Sequence, residues 1–115
     1  MVAFLTIAPL TDGHTLVVPR EEVDRWTDVP PELLNKVMSV AQTIGKAQVE
    51  AFGAPRAGLS VVGFEVEHFH VHVFPRWAGD RLYARDDEIR WTTPDERAPY
   101  AQKLRAALEP ENAQR

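Results

Sequence analysis

Four histidines occur in this chain of 115 residues, and three of them, His68, His70 and His72, alternate within EHFHVHVFPRW, Glu67 to Trp77. Imidazole titrates near neutral pH and serves as nucleophile, acid–base group or metal ligand. In an extended segment, side chains at i, i+2 and i+4 project to one face. His68, His70 and His72 then form a row, with Phe69, Val71 and Val73 on the opposite side. The bulk and β-branching of that second row mark it as core. The histidine row is left facing a cleft or solvent.

Three chemistries fit such a row. The first is a metal site, with a His-x-His pair as chelate and His14 as a further ligand. Against it, the outer Cα atoms of the row lie roughly 13 Å apart by strand rise, while metal–nitrogen bonds are about 2.1 Å. The second is phosphoryl or nucleotidyl transfer. The central ring, His70, attacks phosphorus to form a phosphoramidate, which divides one hard step into two easier ones. The flanking rings hydrogen-bond the oxygens and leaving group on which charge develops. Attack needs one nitrogen of His70 bare and the other held, for instance by a backbone carbonyl. The third is nucleotide binding by the same row without turnover.

Bulk properties narrow the field. The formal net charge is −4 and the pI about 5.5, so no basic footprint for a nucleic acid polymer or an anionic membrane is present. The chain has no cysteine, which excludes thiol catalysis, disulfides and cysteine metal sites. No apolar run reaches the roughly 18 residues of a membrane span. The first residues lack the basic start and small-residue cleavage site of a signal peptide. A cytoplasmic protein of one domain is the expectation.

The elements that must position the histidines follow from pattern. MVAFLTIAPL reads as a strand stopped by Pro9, Thr11–Gly13 as a turn, and His14–Pro19 as a second strand, together an antiparallel hairpin. Leu33, Leu34, Val37, Val40, Ala41, Ile44, Ala47 and Ala51 recur at helical spacing, which predicts a long amphipathic helix over roughly 31–52. Asp28 is placed to cap it, proline suits its first turn, and Gly53 suits its end. GLSVVGFEVEHFHVHVFPRW reads as strand throughout, with a break or bulge at Gly63. Residues 78–88 read as loop. TPDE, Thr93 to Glu96, is a capping-box pattern opening a second helix to about Leu108, with Leu104 and Leu108 inward, Pro99 kinking or delaying it, and a frayed end. The fold class expected is α+β: an antiparallel sheet with one long helix and a C-terminal helix.

The stretch HFHVHVFPR resembles the signature of the histidine triad (HIT) family. AFLTIAPLTDGHTLVVPREEV is similar to that family's upstream hairpin, and WTDVPPEL and GFEVEH match the segments before its helix and its triad. The likeness runs over about residues 2–77, followed by a C-terminal loop and helix over about 78–109. It implies a single HIT-like domain over 1–115, forming a homodimer that binds nucleotides and cleaves at the α-phosphate to release a nucleoside monophosphate. The substrate would be a nucleoside phosphoramidate or a dinucleoside polyphosphate, and no cofactor or triad-bound metal is implied. His70 would carry the nucleotidyl group, His72 would contact phosphate oxygens, and His68 and His14 would support the site. Phe4 and Ile7 fall where the family lines its base pocket, with plain core packing of an apolar strand as the other reading. Apart from the resemblance, Arg76 has two readings, a contact to a distal phosphate and a solvated charge following the strand. The departures are specific. Thr6 stands where many members have an acidic residue for the ribose, and Phe64 where a polar, phosphate-holding residue is common. The family's N-terminal segment and its asparagine upstream of the triad have no counterpart. The 38 residues beyond Trp77, from 115 − 77, suit a generic bacterial-type member or the dinucleoside-polyphosphate branch.

Overall fold

A computed structural model of the chain describes residues 1–64, 66–81 and 86–109. Glu65, part of the 78–88 loop and the end expected to fray lie outside the described residues.

The sheet has four strands in the order β1-β2-β4-β3, every neighbouring pair antiparallel. They are β1 (Val2–Leu5), β2 (Thr15–Val18), β3 (Arg56–Ser60) and β4 (Val71–Arg76). Helix α1 (Pro31–Phe52) crosses one face of β2, β4 and β3, and α2 (Pro94–Leu108) packs beside it. This is the expected α+β arrangement.

The hairpin is shorter than the apolar run suggested. β1 ends at Leu5, and Thr6 to His14 form a bent connection that includes Gly13 at φ 90°. A Cβ there would lie 2.5 Å from the ring of Phe52, so this turn requires glycine twice over, for its backbone angle and for its space.

α1 keeps its predicted limits. Val37, Ala41, Ile44 and Ala47 are buried against the sheet, and Gly53 ends the helix in the left-handed region at φ 63°. Asp28 does not cap it. Pro30 occupies the cap position with no side-chain bond, and Asp28 closes a short 3-10 turn (Trp26–Asp28), its carboxylate 3.0 Å from Arg25. Two prolines after Asp28 carry the chain past capping reach.

In α2 the capping box is present: Thr93 Oγ1 accepts from the Glu96 N–H at 3.3 Å, and Glu96 accepts from the Thr93 N–H at 3.1 Å. Leu104 is buried, Leu108 half-buried, and Pro99 lies inside the helix.

The two strands expected over 58–77, with a break or bulge at Gly63, are present but are separated by a wider gap. β3 stops at Ser60, and β4 starts only at Val71, so His68 and His70 precede the ladder and only His72 lies in a strand. The reason lies in the segment after β2. Phe69 N–H donates to Val23 O at 2.7 Å, which withdraws it from the sheet. The alternation of side chains nonetheless continues through the irregular segment. Phe69, Val71 and Val73 are 2%, 0% and 2% exposed, while His70 and His72 are half-buried. Burial of such side chains stabilises by roughly 1.5–3 kcal/mol each, which anchors the segment where ladder bonds are missing.

Candidate active site

His14, His70 and His72 meet at the β2–β4 junction. His72 pairs in register with Leu16 of β2 and with Ser60 of β3, and Leu16 pairs with Phe4 of β1. Phe4, Leu16 and His72 therefore share the sheet face opposite α1. His14 sits one residue before β2, and its ring contacts those of His72 and Phe74, each at 5.2 Å between centroids. The His70 and His72 rings are 5.0 Å apart.

Their hydrogen bonds determine which nitrogens carry protons. Leu10 N–H lies 3.0 Å from His14 Nδ1. A backbone N–H only donates, so Nδ1 accepts and the proton of the neutral ring is on Nε2. That Nε2 is 3.0 Å from His72 Nδ1. It donates there, which leaves the His72 proton on Nε2. At His70 the logic runs in the opposite sense. Its Nδ1 is 2.7 Å from the carbonyl oxygen of His68. A carbonyl only accepts, so Nδ1 carries the proton and Nε2 of neutral His70 keeps a bare lone pair. The pair thus presents one nucleophilic nitrogen beside one N–H donor.

Electrostatics hold the same arrangement. Burial, and next the neighbouring His72, lower the pKa of His14 from 6.5 to about 3. Burial, and next His70, lower that of His72 to about 4. Desolvation penalises the cation, so both rings rest neutral near pH 7.

His68 departs from the expected row. Its Nε2 is turned to Pro19 O at 2.8 Å, tying the segment before β4 to the end of β2. The carbonyl of His68, rather than its ring, is what touches His70. Among the described residues, no group of three or more His, Cys, Asp or Glu side chains is disposed to hold a metal ion.

The remaining candidates lie around this pair. Phe4 is 48% exposed and Ile7 54% exposed, so neither is core. Thr6 Oγ1 accepts from Ala8 N–H at 3.3 Å and lines a cavity of about 210 Å³ with Asp12, His14 and Arg90. Arg76 ends β4, with Nη2 donating to Asp80 O at 2.6 Å. Phe64 is 96% exposed in the segment between β3 and the triad.

Three contributors escape sequence reasoning. Leu10 and Pro19 act through backbone atoms, which no side-chain pattern reveals. Gln48 did leave a signal: it continues the buried spacing 37, 41, 44, 48 as a polar residue on an apolar stripe.

Comparison with known proteins agrees with this geometry. The HIT domain family matches residues 1–79. An uncharacterized HIT-like protein of Methanocaldococcus jannaschii is 34% identical, over 84% of this chain and 78% of that protein. An adenosine 5'-monophosphoramidase of Saccharomyces cerevisiae is 31% identical, over 64% of this chain and 48% of that protein. The crystal structure of a zinc-bound histidine triad family protein from Mycobacterium smegmatis superposes with a TM-score of 0.78 at 34% identity, covering 98% of this chain and 81% of that one. The helix-backed antiparallel sheet, the paired rings at its centre and these matches have one meaning: the chain belongs to the histidine triad (HIT) family.

Proposed function

We propose that the protein cleaves a nucleotide at its α-phosphate through a nucleotidyl-histidine intermediate on His70. The observation that carries this is the His70 Nδ1–H on the His68 carbonyl, which leaves Nε2 bare beside the His72 Nε2–H. Nε2 bonds phosphorus and the leaving-group bond breaks. The leaving group departs hydrogen-bonded to His72 and takes its proton from solvent. Water then attacks phosphorus and gives up a proton to solvent, the electron pair of the P–N bond returns to Nε2, and a nucleoside monophosphate is released.

His72 works as a hydrogen-bond donor in this scheme. With its pKa lowered to about 4 by burial and next by His70, the ring is neutral near pH 7 before substrate binds. An anionic phosphate beside the ring raises that value and strengthens the donation. His14 orients His72, and His68 fixes the approach to His70. Phe4 and Ile7 offer exposed apolar surface to a base, Thr6 lies at the sugar side, and the N–H groups of Arg76 not spent on Asp80 are available to a distal phosphate.

The substrate is a nucleoside phosphoramidate or a dinucleoside polyphosphate. The test is a panel of both, with wild type and His70→Ala in parallel and release of the monophosphate as readout. A drop in kcat of about 10³-fold or more is expected on removing the nucleophile. Full activity of His70→Ala would sink the proposal. A second reading, a nucleotide binder with little turnover, is favoured by exposed, apolar Phe64 at a position suited to a phosphate-holding donor. It corresponds to a wild type that binds nucleotide and releases no product.

The functional unit in this reading is a homodimer. Among the described residues β3 is an edge strand of the sheet, and beside it α1 leaves a groove of about 890 Å³ lined by Met38, Gln42, Val49, Gly58 and Leu59. Met38, Val49 and Leu59 are each more than a third exposed there. A second copy, presenting the same edge and groove across a twofold axis, covers both.

A further inference from the structure

Gln48 occupies the buried face of α1, where helical periodicity calls for an apolar side chain, and it is 0% exposed. Its Nε2 donates to Gly13 O at 3.0 Å and to Val73 O at 2.8 Å. Two carbonyls can only accept, so the nitrogen must be the atom that faces them. Its Oε1 is buried and has no hydrogen-bond partner among the described residues. A buried amide with an orphaned oxygen costs stability that a leucine or methionine would not. Packing alone does not account for the residue.

The two carbonyls it joins carry the explanation. Gly13 immediately precedes His14, and Val73 immediately follows His72. The β2–β4 ladder ends at the pair Thr15–Val73. Beyond that pair Gly13 turns away at φ 90°, and β4 runs into Pro75, which has no N–H to offer. The His14–His72 ring contact therefore lies at the edge of the ladder, where regular strand pairing no longer sets the spacing. Gln48 spans that gap from the helix side.

We infer that Gln48 is a positioning residue, which clamps the His14-bearing turn to β4 so that His14 Nε2–H stays on His72 Nδ1 and the His72 proton stays on Nε2. Its catalytic consequence rests on the function proposed above. Its structural content does not, because the tautomer of His72 exists without substrate. α1 thus takes part in the site through one amide, although none of its side chains reaches the open face of the sheet.

The test is long-range ¹H–¹⁵N correlation on protein labelled with ¹⁵N-histidine, at pH 7, comparing wild type with Gln48→Met, a substitution that keeps size and removes both donors. Wild type is expected to show His72 in the single Nε2–H tautomer, and Gln48→Met a mixture of tautomers. With the substrate found active above, kcat is expected to fall about tenfold with KM within about twofold. Gln48→Asn keeps the amide without its reach and is read in the same way, which secures the test if the methionine protein does not fold. A folded variant with His72 still in one tautomer and kcat unchanged would overturn the inference. Tautomer mixing in a protein whose wild type turns over no nucleotide would uphold the clamp and reject the hydrolase reading, so the two failures are distinguishable.

Discussion

His14 Nε2 lies 3.0 Å from His72 Nδ1, and this bond couples a buried ring to one that faces the open side of the sheet. Both rings must be neutral to share it as described. The uncharged state of the pair is therefore part of the fold and has consequences that can be measured.

Stability should fall with acid. The folded pKa values of His14 and His72, about 3 and about 4, lie below the ordinary 6.5. Between those limits the unfolded chain binds protons that the folded chain refuses, so the contribution is full above pH 6.5 and is lost as pH falls toward 4. Urea unfolding from pH 7.5 to 4.5 is expected to show a declining midpoint, with a shallower decline in His14→Gln. Equal slopes in the two proteins would contradict the assignment.

Gly13→Ala should be costly. The new Cβ meets the Phe52 ring, and φ 90° is unfavourable for alanine. A loss of about 1–3 kcal/mol is expected from the backbone alone, more if Phe52 cannot move. Urea denaturation gives the value, and a loss below half a kilocalorie would mean that the turn relaxes freely.

Thr93→Ala should cost about 1 kcal/mol, the usual value of a helix cap, because it removes the Oγ1 that accepts from the Glu96 N–H at the start of α2. Arg90→Ala should cost less, since its pair with Asp12 at 2.7 Å is exposed and such pairs contribute about 0–1 kcal/mol. Thermal melts in low and high salt separate the two: the Arg90 effect shrinks with salt and the Thr93 effect stays.

Leu59→Asp tests the second copy. Leu59 is 45% exposed on the edge strand and lines the groove beside α1. A buried unpaired carboxylate at a dimer interface is strongly unfavourable. Sedimentation equilibrium is expected to give twice the chain mass for wild type and the single-chain mass for the variant. A wild type of single-chain mass would remove the homodimer from the proposal.

What could be read before folding was local. Period-3.6 spacing placed α1 within its observed limits, the Thr93–Glu96 pattern placed the start of α2, and the alternation around the triad told Phe69, Val71 and Val73 from the histidines. Each depends on neighbours a few residues apart, whose geometry the chain carries with it. The errors were tertiary. Phe69 reads as strand, yet its N–H goes to Val23, and Asp28 reads as a cap, yet the following prolines carry the helix beyond it. The triad itself divides on the same line. By its own pattern the sequence determined that His70 is flanked by imidazoles and backed by a buried apolar row. Which nitrogen of His70 is bare, why His68 turns to Pro19, and how Leu10, His14 and Gln48 set the proton of His72 were decided only by the tertiary structure. These depend on backbone donors and acceptors from segments up to 60 or so residues apart, and a hydrogen bond between such groups exists only once folding has brought them within about 3 Å.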